Sequence, residues 1–140
     1  MERRLDDKDY ARLLEFRTGL RRFLRWSEQQ ATAAGLTPAQ HQLLLAVRGH
    51  HDPTGAGLGP TIGDVADSLL LRHHSAVELV DRAVAAGLVE RRPDRADQRQ
   101  VRLVLTAAGS NRLEHLTAVH VEELARLGAA LRALTDGLEL

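Results

Sequence analysis

Apolar and polar positions along this chain follow two different periods, and each change of period marks the end of an element. From about Asp6 to Ala34, residues Leu13, Phe16, Leu20, Phe23 and Leu24 recur at three- and four-residue spacing with Arg and Glu between them. That spacing predicts an amphipathic helix, stopped by Gly35. Thr37-Pro38-Ala39-Gln40 then reads as a helix start. Thr37 can cap, Pro38 suits the first helical position, and Gln40 stands where a capping box needs its returning side chain. The second helix runs through Leu43, Leu44 and Val47 to about Gly49, and the Gly- and Pro-rich stretch HHDPTGAGLGP forms a loop after it.

Thr61 and Asp64 repeat the capping pattern ahead of a short helix through Val65, Ala66 and Leu69. Leu70-Leu71 is a brief connection to a helix from about Arg72 to Ala86. In that helix Ala76, Leu79, Val80 and Ala83 share an inner face, which turns His73, His74, Val77, Glu78 and Asp81 outward. After Gly87 the period shortens, so Leu88–Arg92 and Val101–Leu105 read as two strands with Pro93 to Gln100 as the tip between them. A last helical segment starts at Thr106, with Leu113, Leu116, His120, Leu124, Leu127, Leu131 and Leu134 on one seam. Gly128 leaves open whether it is one helix or two. Two short helices in a helix-turn-helix followed by a hairpin make a winged helix, mainly α with a small β wing. The expected organisation is a single domain, 1–140. A winged-helix lobe occupies about 36–105, and 1–35 with 106–140 form a helical lobe whose unsatisfied apolar seams suit dimerisation.

Composition narrows the chemistry. Formal net charge is zero, so attraction to phosphate must come from local clustering. Between Arg72 and Arg102 there are seven Arg and two His against five acids, a mild excess. The four aromatics, Tyr10, Phe16, Phe23 and Trp26, all precede residue 27, which leaves the middle of the chain unable to stack bases as single-strand binders do. Duplex contact is favoured instead. The absence of cysteine excludes disulfides and thiolate metal sites. No apolar run is long enough to span a bilayer, and a cytoplasmic protein without membrane association is expected. No Ser–His–Asp order, phosphate-cradling glycine loop or carboxylate pair stands in a convincing context, so neither an enzyme nor a cofactor is expected.

The segment D-Q-R-Q-V-R-L-V-L-T-A-A-G, Asp97 to Gly109, with Leu79–Arg82 and Ala86–Arg92 before it, resembles the MarR family of winged-helix transcription regulators. That family's wing carries D-x-R and then, after a strand, L-T-x-x-G. The likeness covers roughly Leu36 to Gly109 by motif and the flanking helices by pattern. It implies a homodimer held by its terminal helices, which places two recognition helices in successive major grooves of a pseudo-palindromic operator in double-stranded DNA. It also implies a regulator, repressor or activator, with repression expected first, that is released by a small, often aromatic or phenolic, effector.

On this reading Arg72, His73, His74, Ser75, Val77 and Glu78 form the reading surface at the start of the recognition helix, with Arg82 as a further contact. Arg can take guanine bidentately, and Glu can accept from cytosine N4. Adjacent histidines on a helix diverge by about 100°, which disfavours a shared metal ion. At the wing, Arg99 is the candidate minor-groove side chain, Asp97 its orienting partner and Arg95 an accessory phosphate contact. Arg91, Arg92 and Arg102 read as solvated strand residues. Phe23, Trp26 and His41 are the candidates for an effector cavity, and His120 reads as a satisfied histidine on the seam. The rival reading, from a different class, is a winged helix used for protein–protein interaction without DNA.

Overall fold

Local capping chemistry sets the helix boundaries in the computed structural model, which describes residues 3–136. Asp6, Thr37 and Thr61 each accept from the backbone N–H three residues on, while Asp9, Gln40 and Asp64 return the bond to the cap. These three capping boxes open α1 (Asp7–Ala33), α2 (Pro38–Arg48) and α3 (Ile62–Leu69). The fourth helix, α4 (His73–Ala85), follows Arg72, whose side chain makes no capping bond. It ends where Gly87 and Leu88 donate back to the Val84 and Ala83 carbonyls.

β1 (Val89–Pro93) and β2 (Val101–Leu105) pair antiparallel, Val89 opposite Leu105 and Pro93 opposite Val101. The chain then enters α5 (Ala107–Thr135), which passes Gly128 without a break. Glycine lowers helix propensity by about 1 kcal/mol. Leu124, Leu127, Leu131 and Leu134 continue the helical pattern on both sides of it, and the helix holds.

α2 lies at the centre and touches α1, α3, α4, α5 and β2. Its Leu43 and Leu44 are fully buried, joined in one core by Val65 of α3, Val80 and Ala83 of α4, Leu88 and Leu103 of the hairpin, and Leu113 and Leu116 of α5. Truncating a leucine in such a core costs about 2–5 kcal/mol. The loop after α2 is ordered by Asp52, whose carboxylate accepts from the N–H groups of Thr54 and Leu58 and from the Thr54 hydroxyl. These bonds hold its pKa down to about 2. The loop closes on the wing: Leu103 N donates to Pro60 O at 2.8 Å, so residues 59–60 cover the free edge of β2.

The apolar seams of the long helices are only partly covered within the chain. Tyr10, Leu13, Leu14, Val121 and Leu124 are each at least half exposed. No helix among the described residues is long and apolar enough to cross a membrane.

Candidate nucleic-acid interface

The turn that joins α3 to α4 sets the exposure of the second helix. Leu70 adopts φ 56°, ψ 43°, the only non-glycine positive φ among the described residues, and is 91% exposed. A left-handed leucine is held against an intrinsic cost of about 1–2 kcal/mol. The fold sustains it because Leu71 N reaches back to Ala66 O and α4 is pinned by Ala76, Val80 and Ala83, all completely buried. With that face inward, Arg72, His73, His74, Glu78 and Arg82 are exposed, while Ser75 and Val77 are half-buried at the edge of the contact face. Arg82 and Glu78 make no ion pair among the described residues, and Asp81, the acid beside Arg82, pairs instead with Arg91 across the α4–β1 corner.

At the wing tip, Asp97 Oδ1 accepts from both the backbone N–H of Arg99 at 3.1 Å and its Nε at 3.2 Å. The Arg99 side chain as a whole remains 92% exposed. Arg99 therefore presents its remaining donors outward from a fixed stem. Arg95 is exposed beside it.

Of the three strand arginines expected to be solvated, Arg91 and Arg92 are exposed and make surface pairs with Asp81 and Glu90, and Arg102 departs from the expectation. Arg102 is half-buried: its Nε donates to Asp94 Oδ2 at 3.0 Å and its Nη1 to the Gly59 carbonyl at 3.3 Å. Asp94, only 5% exposed, was not singled out by the sequence. Its other oxygen accepts from Ala96 N and Asp97 N, and these bonds with the Arg102 contact hold its pKa below the ordinary carboxylate value. The Pro93-Asp94 pair at a strand end is the one available signal, because Asp there caps a turn through its own side chain.

Phe23, Trp26 and His41 do come together, with His120 among them. Trp26 and His41 each lie 4.8 Å from the His120 ring centroid, and Phe23 meets it edge-on at 6.1 Å. The Leu116 carbonyl, which can only accept, lies 2.7 Å from His120 Nδ1, so that nitrogen carries a proton, and in the neutral ring Nε2 accepts from the Ser27 hydroxyl at 2.6 Å. His120 is thus satisfied within its own chain. His41 is buried behind it, and burial foremost, then repulsion between the two rings when both are protonated, lowers its pKa. Phe23 and Trp26 remain half-exposed and border a groove between α1 and α5 with Gly19, Arg22 and Leu127. No group of three or more His, Asp or Glu side chains among the described residues is arranged to hold a metal.

A helix-turn-helix, α3–α4, that leads directly into a two-stranded wing makes this a winged-helix protein. Residues 34–100 match the model described as MarR family. That match spans just under half of the chain, and the flanking helices share the fold of solved MarR family regulators. Solved structures with the same fold include AbsC, a MarR family transcriptional regulator from Streptomyces coelicolor, at TM-score 0.71 and 21% identity over 93% of this chain and 84% of that one. A point mutant of MepR from S. aureus, bound to an oligodeoxyribonucleotide, matches at TM-score 0.65 and 22% identity over 86% and 82%. A cysteine-to-serine mutant of MarR from E. coli, complexed with operator DNA, matches at TM-score 0.63 and 22% identity over 92% and 81%. No curated protein matches the sequence.

Proposed function

We propose that the chain is a transcription regulator that binds duplex DNA sequence-specifically as a homodimer. The observation that carries this reading is a pair of outward-facing cationic features on consecutive elements: the Arg72-His73-His74 turn of α4 and the Arg99 tip of the wing. The first-turn amides of α4 have no side-chain cap, which leaves them open to a phosphate oxygen. His73, His74 and Glu78 then face base edges in a major groove, with Ser75 and Val77 at the margin and Arg82 nearer the backbone. Arg99, steadied by Asp97, enters the adjacent minor groove, and Arg95 contacts phosphate.

The exposed apolar seams of α1 and α5 support a second copy as the partner. Two-fold symmetry then places the two recognition helices about one helical turn of DNA apart. Release by a small aromatic or phenolic effector is the fitting mode of regulation, with Phe23 and Trp26 bordering its groove and His41 behind them. Such a ligand acts only by preferring the spacing that does not fit DNA. Repression follows where the occupied operator overlaps the promoter.

The test is selection of duplexes from a random pool, followed by titration of the selected sequence across a salt series. The expected result is two chains per duplex and a log–log salt slope of several units, as phosphate neutralisation requires. Absence of binding to any duplex, with pull-down of a protein partner instead, would favour the protein-interaction reading.

A further inference from the structure

Arg102 lies at the root of the wing, where three separate segments meet. Its Nε holds Asp94 at the beginning of the tip, its Nη1 holds the Gly59 carbonyl of the α2–α3 loop, and its Nη2 reaches Gln100 Oε1 at 3.4 Å. Asp94 in turn fixes the backbone of Ala96 and Asp97, the residue that orients Arg99. Gly59 is packed so closely on β2 that a Cβ there would lie 2.0 Å from the Leu103 carbonyl oxygen, so the loop has no room to slide. The chain of contacts runs from the α2–α3 loop through Arg102 and Asp94 to Asp97 and the stem of Arg99.

We propose that Arg102 and Asp94 form a latch that positions the wing tip, so that Arg102 governs DNA affinity through Arg99 rather than by touching DNA. The proposal rests on the DNA-binding reading and extends it to residues outside the contact surface. A two-stranded hairpin alone is only marginally ordered in water. The latch supplies what pairing alone does not: a buried carboxylate, satisfied on both oxygens, that ties the tip to the body of the lobe. A simple charge argument predicts the opposite for one member of the pair, since removing the Asp94 carboxylate makes the wing more cationic.

The experiment measures affinity of the full chain for its selected duplex at fixed salt, in wild type, Arg102→Ala, Arg102→Lys, Asp94→Asn, Arg99→Ala and the Arg99→Ala/Arg102→Ala double variant. The latch predicts binding about fivefold or more weaker for Arg102→Ala, partial rescue by Lys, and weaker binding for Asp94→Asn despite its added positive charge. It also predicts little further loss when Arg102→Ala is placed on Arg99→Ala, the non-additivity of residues that act through one another. In the DNA-free chain, amide exchange across residues 94–104 should quicken in Arg102→Ala and Asp94→Asn. Tighter binding by Asp94→Asn, additive losses in the double variant, or unchanged exchange would each overturn the latch. If wild type binds no duplex, the DNA-binding reading falls with it; if wild type binds and these variants match it, the latch alone falls. Should Arg102→Ala fail to fold, Arg102→Lys and Asp94→Asn carry the same test.

Discussion

Arg99 and Arg102 stand three residues apart on one hairpin and serve opposite ends of it. Arg99 is exposed and steadied by a single carboxylate, so its replacement by Ala should leave the melting temperature unchanged and weaken duplex binding by about 1 kcal/mol or more. Equal affinity in a side-by-side titration would remove the wing tip from the interface. Its place was legible from D-x-R in the sequence. Arg102 was not, because strand alternation reports only that a side chain leaves the sheet, and its partners lie eight and 43 residues away. His41 offers a second single-residue test. Its folded pKa is depressed by burial, so the unfolded chain binds the extra proton first as the pH drops. Its contribution is therefore complete above the ordinary histidine value of 6.5 and is lost as pH falls from there toward the lowered folded value. Urea midpoints between pH 7.5 and 5 should decline less steeply for His41→Gln than for wild type, and parallel slopes would exclude His41 as a source of the decline.

Among the elements, the segment Leu105-Thr106-Ala107-Ala108-Gly109 shows why a motif has its spacing. The Thr106 hydroxyl accepts from Gly109 N at 3.0 Å, capping α5, and donates to the Gly87 carbonyl at 2.6 Å. Thr106 N donates to Leu88 O, and a Cβ on Gly109 would sit 2.1 Å from that same oxygen. The start of α5 is thereby clamped to the end of α4 and the entrance of β1. Gly109→Ala should destabilise the fold by about 2 kcal/mol or more, because the atom it must displace is backbone. A thermal melt indistinguishable from wild type would show that the corner yields. Helix limits were readable to within a residue or two, since the capping boxes at Thr37 and Thr61 announce themselves locally, while the one at Asp6 emerged with the structure. The continuity of α5 through Gly128 was not readable, because it depends on apolar residues flanking the glycine rather than on the glycine itself.

At the scale of the molecule, zero net charge places the whole burden of any DNA attraction on geometry. That is why the orientation of the α4 turn and of the wing matters more here than the number of cations. The winged-helix order could be read in the sequence because each element has its own period and its own punctuation. The meeting of Phe23, Trp26, His41 and His120 was only half visible, since a contact between residues 23 and 120 has no local signature. One consequence of the unbroken α5 belongs to mechanics. Twenty-nine helical residues at about 1.5 Å each make a rod of about 43 Å, fastened at one end by Thr106 and Gly109 to the end of α4 and the entrance of the wing. A sideways push of about 3 Å at its far end tilts it by only about 4°, yet with no joint at Gly128 to absorb the tilt, the clamped end must turn with it. The rod acts as a lever whose short arm carries α4 and the wing.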